Sequence, residues 1–323
     1  MRLAFACLLM APVAMDSLDP SVALAGTTSL RDEVVKQYPL ALENLERFYS
    51  HVRIVGRGSH RAGIPKPRVV IEYTVEFLRN DDSIRLVKGV TADSRGPLET
   101  LALVTRPRLS FTAARSAESQ EFALQSISPG PSDEARLIGL HAQLCFSPFS
   151  LGELNLRDLL KSPDFTIKGA SGAVHGGRDC IKISVERAAS QGVVSGFLIV
   201  DPHAGWVLRE YETAMLPTGH TSRGSVEYEG QREGIPLLRR AKLVYFRDGV
   251  PGQIDELTVD RISVEEVPEE EFTLAAFGIS DIGATRPPII APGIAYSLLA
   301  ALVALAIVVA WRIARRRPQR GVA

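Results

Sequence analysis

Six histidines, His51, His60, His141, His175, His203 and His220, stand singly along the chain. No two are spaced i, i+2 or i, i+4, and neither Cys145 nor Cys180 has a neighbouring Cys at the spacing a zinc site uses. The H-E-x-x-H, G-x-S-x-G and glycine-lysine phosphate-loop patterns are absent. Gly56-Arg57-Gly58 lacks the third glycine of a dinucleotide fingerprint and precedes strands, so it reads as a bend in a strand. Carboxylates crowd at Glu265, Glu266, Glu269, Glu270 and Glu271. Calcium loops interleave their ligands with glycine and other oxygen donors, whereas this run is uninterrupted acid beside Pro268, a solvated edge. The residues therefore predict no catalytic, cofactor-binding or metal site, and the reading is non-enzymatic.

Two side-chain sets remain. Tyr73, Phe77, Trp206, Tyr211, Tyr228 and Tyr245 are spread over probable strands. Most must be core, because a sheet has to bury one face. A bent sheet only partly covered by helices also leaves an apolar concavity that suits lipids, and Tyr73, Phe77, Trp206 and Tyr228 are the candidates to line it. Cys145 and Cys180 admit two readings. A disulfide would close a loop of about 36 residues, worth roughly 4 kcal/mol in the chain-entropy model. The alternative is two separately buried thiols.

The elements that must position these residues follow from pattern. Ser29 with Asp32 three positions on starts a helix through LRDEVVKQYPLALENLERFY, which Pro39 should kink or split. VVIEYTVEFL (69–78) alternates apolar and polar residues, Asn80-Asp81-Asp82 turns the chain, and SIRLVKGVT (83–91) returns. A third strand is expected from about Ala102 to Ala114. Ser128-Pro129-Gly130-Pro131-Ser132 breaks the meander, and helices are expected over SDEARLIGLHAQLCF and NLRDLL before sheet resumes at FTIKGA and CIKISVE. GFLIVDPHAGWVLREYE (196–212) reads as a hairpin turning at Asp201-Pro202. SVEYEG, LLRRAKLVYF and QIDELTVDRISVEE are three further strands, and 266–279 should lay its aromatics against the sheet. The predicted fold class is α+β, mainly antiparallel β. Its form is a strongly bent, unclosed, barrel-like sheet of eight to ten strands, covered by the leading helix and a mid-chain helical insertion, plus one C-terminal transmembrane helix.

That last helix is expected at 289–311, which holds no Asp, Glu, Lys or Arg. Arg312, Arg315, Arg316, Arg317 and Arg320 follow it and orient the 312–323 tail to the cytoplasm. At the other end Arg2, the apolar stretch Leu3–Ala14 and Ala23-Leu24-Ala25 form a signal-peptide pattern over 1–25, with an uncleaved signal anchor as the alternative. The exported domain is then 26–284, and 285–288 is a proline-containing spacer. This places the protein in the cytoplasmic membrane as a single-pass protein with its N-terminal domain outside. A signal removed by a sorting enzyme is the other reading of the C-terminal segment. The formal charge of the chain is zero. Once the basic tail is set aside the exported part is mildly acidic, which excludes a nucleic-acid footprint.

Signal peptide, long leading helix, antiparallel strands, helices inserted mid-sheet and more strands is an order that resembles the outer-membrane lipoprotein carrier (LolA-like) fold and the RseB-type lipoprotein-sensing domain. The likeness covers about 29–266 at the level of element order and transfers no residue. It implies an unclosed barrel over an apolar cavity, and a lipid or lipid-modified chain as ligand. The expectation is thus a membrane-tethered, non-catalytic binder of an apolar ligand. An envelope scaffold without a cavity is the alternative, and a hydrolase with a scattered site is a distant third.

Overall fold

The structure is a computed structural model. It describes residues 29–280 apart from 64–65, 67, 94–97, 131–137, 139–140, 152–153, 190–191 and 217–218. Helix α1 spans Leu30–Phe48, and the Ser29 side chain accepts a hydrogen bond from the Asp32 amide at 3.2 Å, as the capping pattern predicts. Pro39 sits inside this helix without splitting it. The carbonyl that loses its donor belongs to Val35, which is 48% exposed, so water can satisfy it. The opposite face, with Val34, Tyr38, Ala41, Leu42, Leu45 and Phe48, is buried.

Thirteen strands form one antiparallel sheet. The first meander is β1 (His51–Ala62), β2 (Val69–Asn80), β3 (Ser83–Asp93), β4 (Glu99–Arg106), β5 (Leu109–Ser116) and β6 (Ala123–Ser128). Two short strands, β7 (Ser150–Leu151) and β8 (Leu154–Asn155), pair apart from it, and helix α2 follows at Leu156–Lys161. The second meander is β9 (Phe165–His175), β10 (Arg178–Ala189), β11 (Gly192–Asp201), β12 (Val207–Leu216), β13 (His220–Arg232), β14 (Ile235–Arg247) and β15 (Val250–Ser263). The two meanders join where β1 pairs with β15, and β6 and β9 are the free edges. The sheet is therefore unclosed.

Tyr73, Val75 and Phe77 of β2, Leu86 of β3 and Leu103 of β4 share one core with α1. The connecting segment adds Ile138, Ala142, Leu144, Cys145, Phe149, Leu156 and Leu159 to it, so the inner face is filled by α1 and by the chain between β6 and β9. The outer face of β2–β5 is also apolar. Leu78, Ala102, Val104, Phe111 and Ala113 are covered there by Val267, Phe272, Leu274 and Phe277. The aromatics of 266–279 do lie on the sheet, with Phe277 edge-on to Phe111 and Phe122 at 5.7 and 5.2 Å.

Four expectations are corrected. Ala102 to Ala114 is not one strand but the end of β4 and most of β5, because the chain turns at Pro107-Arg108. Proline supplies no ladder donor and presets the turn. Of the helix expected to Phe146, 132–137 and 139–140 lie outside the described residues. Ile138, His141 and Ala142 are helical, and the end breaks into i, i+3 turns, with Cys145, Phe146 and Phe149 amides bonding to Ala142, Gln143 and Phe146 carbonyls. These turns aim Phe146 at Phe77 and Phe149 at Tyr49. The strand number exceeds eight to ten, since β6 has mostly polar residues and went unread and the single strand expected over 102–114 is two. Finally, among the described residues no helix is long and apolar enough to cross a membrane, so the transmembrane helix drops out of the fold class. The stretch 289–311, the segments 1–25 and 285–288, and the tail arginines lie outside the described residues.

Candidate functional site

Alternation on the strands carries some polar side chains onto the inner face beyond the reach of α1. In β3, Ile84, Leu86 and Lys88 share a face; in β15, Gln253 and Asp255 continue the row of Leu257 and Val259. Pairing of β1 with β15 sets His60 opposite Asp255, and pairing with β2 sets it opposite Ile71. Lys88, Gln253, Asp255, His60 and Ile71, with Tyr73, Tyr245 and the connecting segment's His141, Gln143 and Leu144, line a cleft of about 510 Å³.

Its electrostatics are specific. His60 Nδ1 lies 2.7 Å from Asp255 Oδ1, and Gln253 Nε2 donates to Asp255 Oδ2 at 2.7 Å. Lys88 Nζ sits 3.8 Å from the centre of the Tyr73 ring, a cation–π contact. Burial lowers the pKa of this lysine, while Asp255 and Cys145 oppose the shift. Burial, helped by Lys88, brings His141 down to about 4, so this imidazole is neutral at pH 7. The Tyr245 hydroxyl donates to Gln143 Oε1 at 3.4 Å.

A second cleft of about 510 Å³ adjoins the first through Tyr245 and Gln253, which line both. Val194 faces Met215, Thr213 faces Ser222, and Ser222 faces Tyr245 across β11–β14, and all five line it. The Thr213 and Ser222 hydroxyls bond one another at 2.7 Å, and Val194, Met215, Tyr245 and Phe246 supply the apolar surface. The inner face thus carries one groove, charged and hydrogen-bonding under β1–β3 and more apolar under β11–β14.

Of the four aromatics expected to line an apolar cavity, Tyr73 stands in the wall of the charged cleft. Phe77 is fully buried, 5.0 Å from Phe146. Trp206 packs on Tyr38 at 6.0 Å, and Tyr228 stacks on Arg209 and donates to the Leu208 carbonyl at 2.8 Å. Those three belong to the core at the helix-filled end. Cys145 and Cys180 are free, separately buried thiols. Cys145 lies near Lys88, and burial pushes its pKa up to about 12; Cys180 lies near Asp201 and Arg209. A thiol held protonated is no nucleophile at neutral pH. Among the described residues no group of three or more His, Cys, Asp or Glu could hold a metal.

Sequence reading missed Lys88, His60, His141, Gln253 and Asp255. The available signal was an apolar strand face interrupted by one polar residue near a strand end.

Gly56-Arg57-Gly58 has a structural role at this site. The β1–β15 register shifts between Val55 and Gly56, so the expected bend is a bulge. A Cβ at Gly58 would meet the Tyr73 ring at 2.3 Å. Gly58→Val is expected to push Tyr73 off its seat, lowering stability by about 1–3 kcal/mol in urea unfolding and disordering the Lys88 contact. An unfolding midpoint equal to that of the parent would show that the ring has another place to go.

No family model matches this chain, and no curated protein matches it. Solved structures similar to it include a DUF1329 family protein from Desulfovibrio piger, at 10% identity and TM-score 0.45, over 75% of this chain and 98% of that one. A protein assigned as an outer membrane lipoprotein-sorting domain from Vibrio parahaemolyticus is similar at 7% identity and TM-score 0.43, over 74% and 97%. A LolA superfamily protein from Nitrosomonas europaea is similar at 12% identity and TM-score 0.38, over 72% and 96%. The neighbours are thus DUF1329 and LolA-superfamily proteins, the latter being the group that the order of elements in this chain resembles.

Proposed function

We propose that the inner groove binds an amphiphile, either a lipid or an acylated polypeptide. The acyl chain would lie along Val194, Met215 and Tyr245, with its polar end in the cleft of His60, Lys88, His141 and Asp255. The supporting observation is the shared wall at Tyr245 and Gln253, across which the lining changes from more apolar to more charged. A wholly apolar ligand would press hydrocarbon on the half-buried Lys88 ammonium and strip its remaining water, which is costly unless the charge is matched. A wholly polar ligand would gain nothing from the apolar row. An amphiphile satisfies both ends.

The first test is calorimetric titration of the purified protein with dodecyl maltoside below its micelle concentration. Binding is expected, and Met215→Asp is expected to weaken it at least tenfold, because a carboxylate placed against an acyl chain costs more than about 1.4 kcal/mol. An absence of binding by this and other dodecyl amphiphiles would favour an interaction scaffold.

A further inference from the structure

We infer that the polar end of the groove receives an anionic group, a phosphate or a carboxylate, and that Lys88 is the residue that holds it. This rests on the amphiphile reading and names the head group that reading leaves open. Asp255 attracts Lys88 through space but forms no ion pair with it; its two oxygens bond His60 and Gln253, each at 2.7 Å. The ammonium lies instead over the Tyr73 ring. An aromatic face attracts a cation but accepts no strong hydrogen bond, and an ammonium carries three donors. Among the described residues no carboxylate stands within ion-pairing distance of Lys88; the ion pairs of β1–β3 and β13–β15 involve other residues.

The neighbours reinforce this assignment. Neutral His141 adds no second positive charge, and Gln143 and Tyr245 supply hydrogen-bonding groups beside the ammonium. The half-buried position of Lys88 strengthens its field over that of a surface lysine. At the far end of the groove Arg247 is 80% exposed and lies 3.9 Å from Asp248, so solvent screens it. Among the described residues the groove therefore has one half-buried cation that makes no ion pair, at its polar end. An uncharged head group leaves it so, and a cationic one opposes it.

The test compares dodecyl phosphate, dodecyl maltoside and inorganic phosphate by calorimetry on the full chain, each detergent below its micelle concentration. Dodecyl phosphate is expected to bind about tenfold more tightly than dodecyl maltoside. Lys88→Met, which keeps length and apolar volume, should bring that ratio within about twofold, and Lys88→Arg should keep it above about fivefold. Equal affinities for the two detergents in the parent protein would overturn the anionic head group and leave the amphiphile reading standing. Lys88-dependent binding of inorganic phosphate with neither detergent bound would support the anion site and overturn the amphiphile reading. Binding of none of the three would overturn both.

Discussion

Asp201→Ala is expected to destabilise the fold by about 3–5 kcal/mol, one of the two largest effects of any single substitution considered. Asp201 is 2% exposed and its Oδ2 accepts from Arg209 Nη2 at 2.8 Å. Arg209 is itself buried, stacked over the Tyr228 ring at 4.8 Å, and its Nε has no partner among the described residues. Removing the carboxylate leaves a guanidinium buried and unpaired, and breaking a buried pair in that way is what costs 3–5 kcal/mol. Asp201 also accepts from the His203 amide at 3.2 Å, so the same change loosens the turn between β11 and β12. Arg178, 3.8 Å from the same oxygen and largely exposed, loses its partner as well, at little cost. Guanidinium unfolding measures the effect directly. The double change Asp201→Leu with Arg209→Met should recover most of the loss, since apolar replacement of a buried pair is close to neutral. A single-variant loss below about 1 kcal/mol would mean that water enters this turn.

Phe272→Ala should cost about 3–5 kcal/mol, the range for emptying a fully buried aromatic site. Phe272 is 0% exposed in the cluster that caps the outer face of β2–β5. The segment carrying it is held by polar contacts as well. Arg53 and Arg85 both bond Glu271, Asn80 Nδ2 donates to the Val267 carbonyl at 2.8 Å, and Arg106 bonds Glu269 at 2.8 Å. Those contacts are half-buried or exposed and each contributes less than the ring. Hydrogen exchange should therefore show faster opening over 267–279 and over β4 and β5, together with a lower unfolding midpoint. Glu270→Gln, on the exposed side of the same segment, should stay within about 0.5 kcal/mol. Equal effects of the two would mean that the segment is held by charge rather than by its aromatics.

Much of this molecule was legible along the chain because the signals are local. Ser29 caps α1, Asp201-Pro202 with Gly205 turns β11 into β12, and the alternation of Tyr73, Val75 and Phe77 marks the inner face of β2. Each depends on neighbours within a few positions, where periodicity and turn chemistry act. Pairing along hairpins follows from the same information, which is why the meanders were foreseeable as antiparallel sheet.

The site was not legible, and the reason is distance. His60 and Asp255 are 195 positions apart and meet because β1 pairs with β15. Nothing in either strand alone specifies that partner. The free edges at β6 and β9, the cover over the outer face and the separation of Cys145 from Cys180 all follow from that one long-range pairing and the packing it permits. Tyr73, Trp206 and Tyr228 look alike as strand or turn aromatics, yet only Tyr73 reaches the groove, because α1 and the β6–β9 connection cover the others. Sequence determined which residues each strand turns inward; only tertiary structure decided which of them stay uncovered, since burial depends on what arrives from elsewhere in the chain.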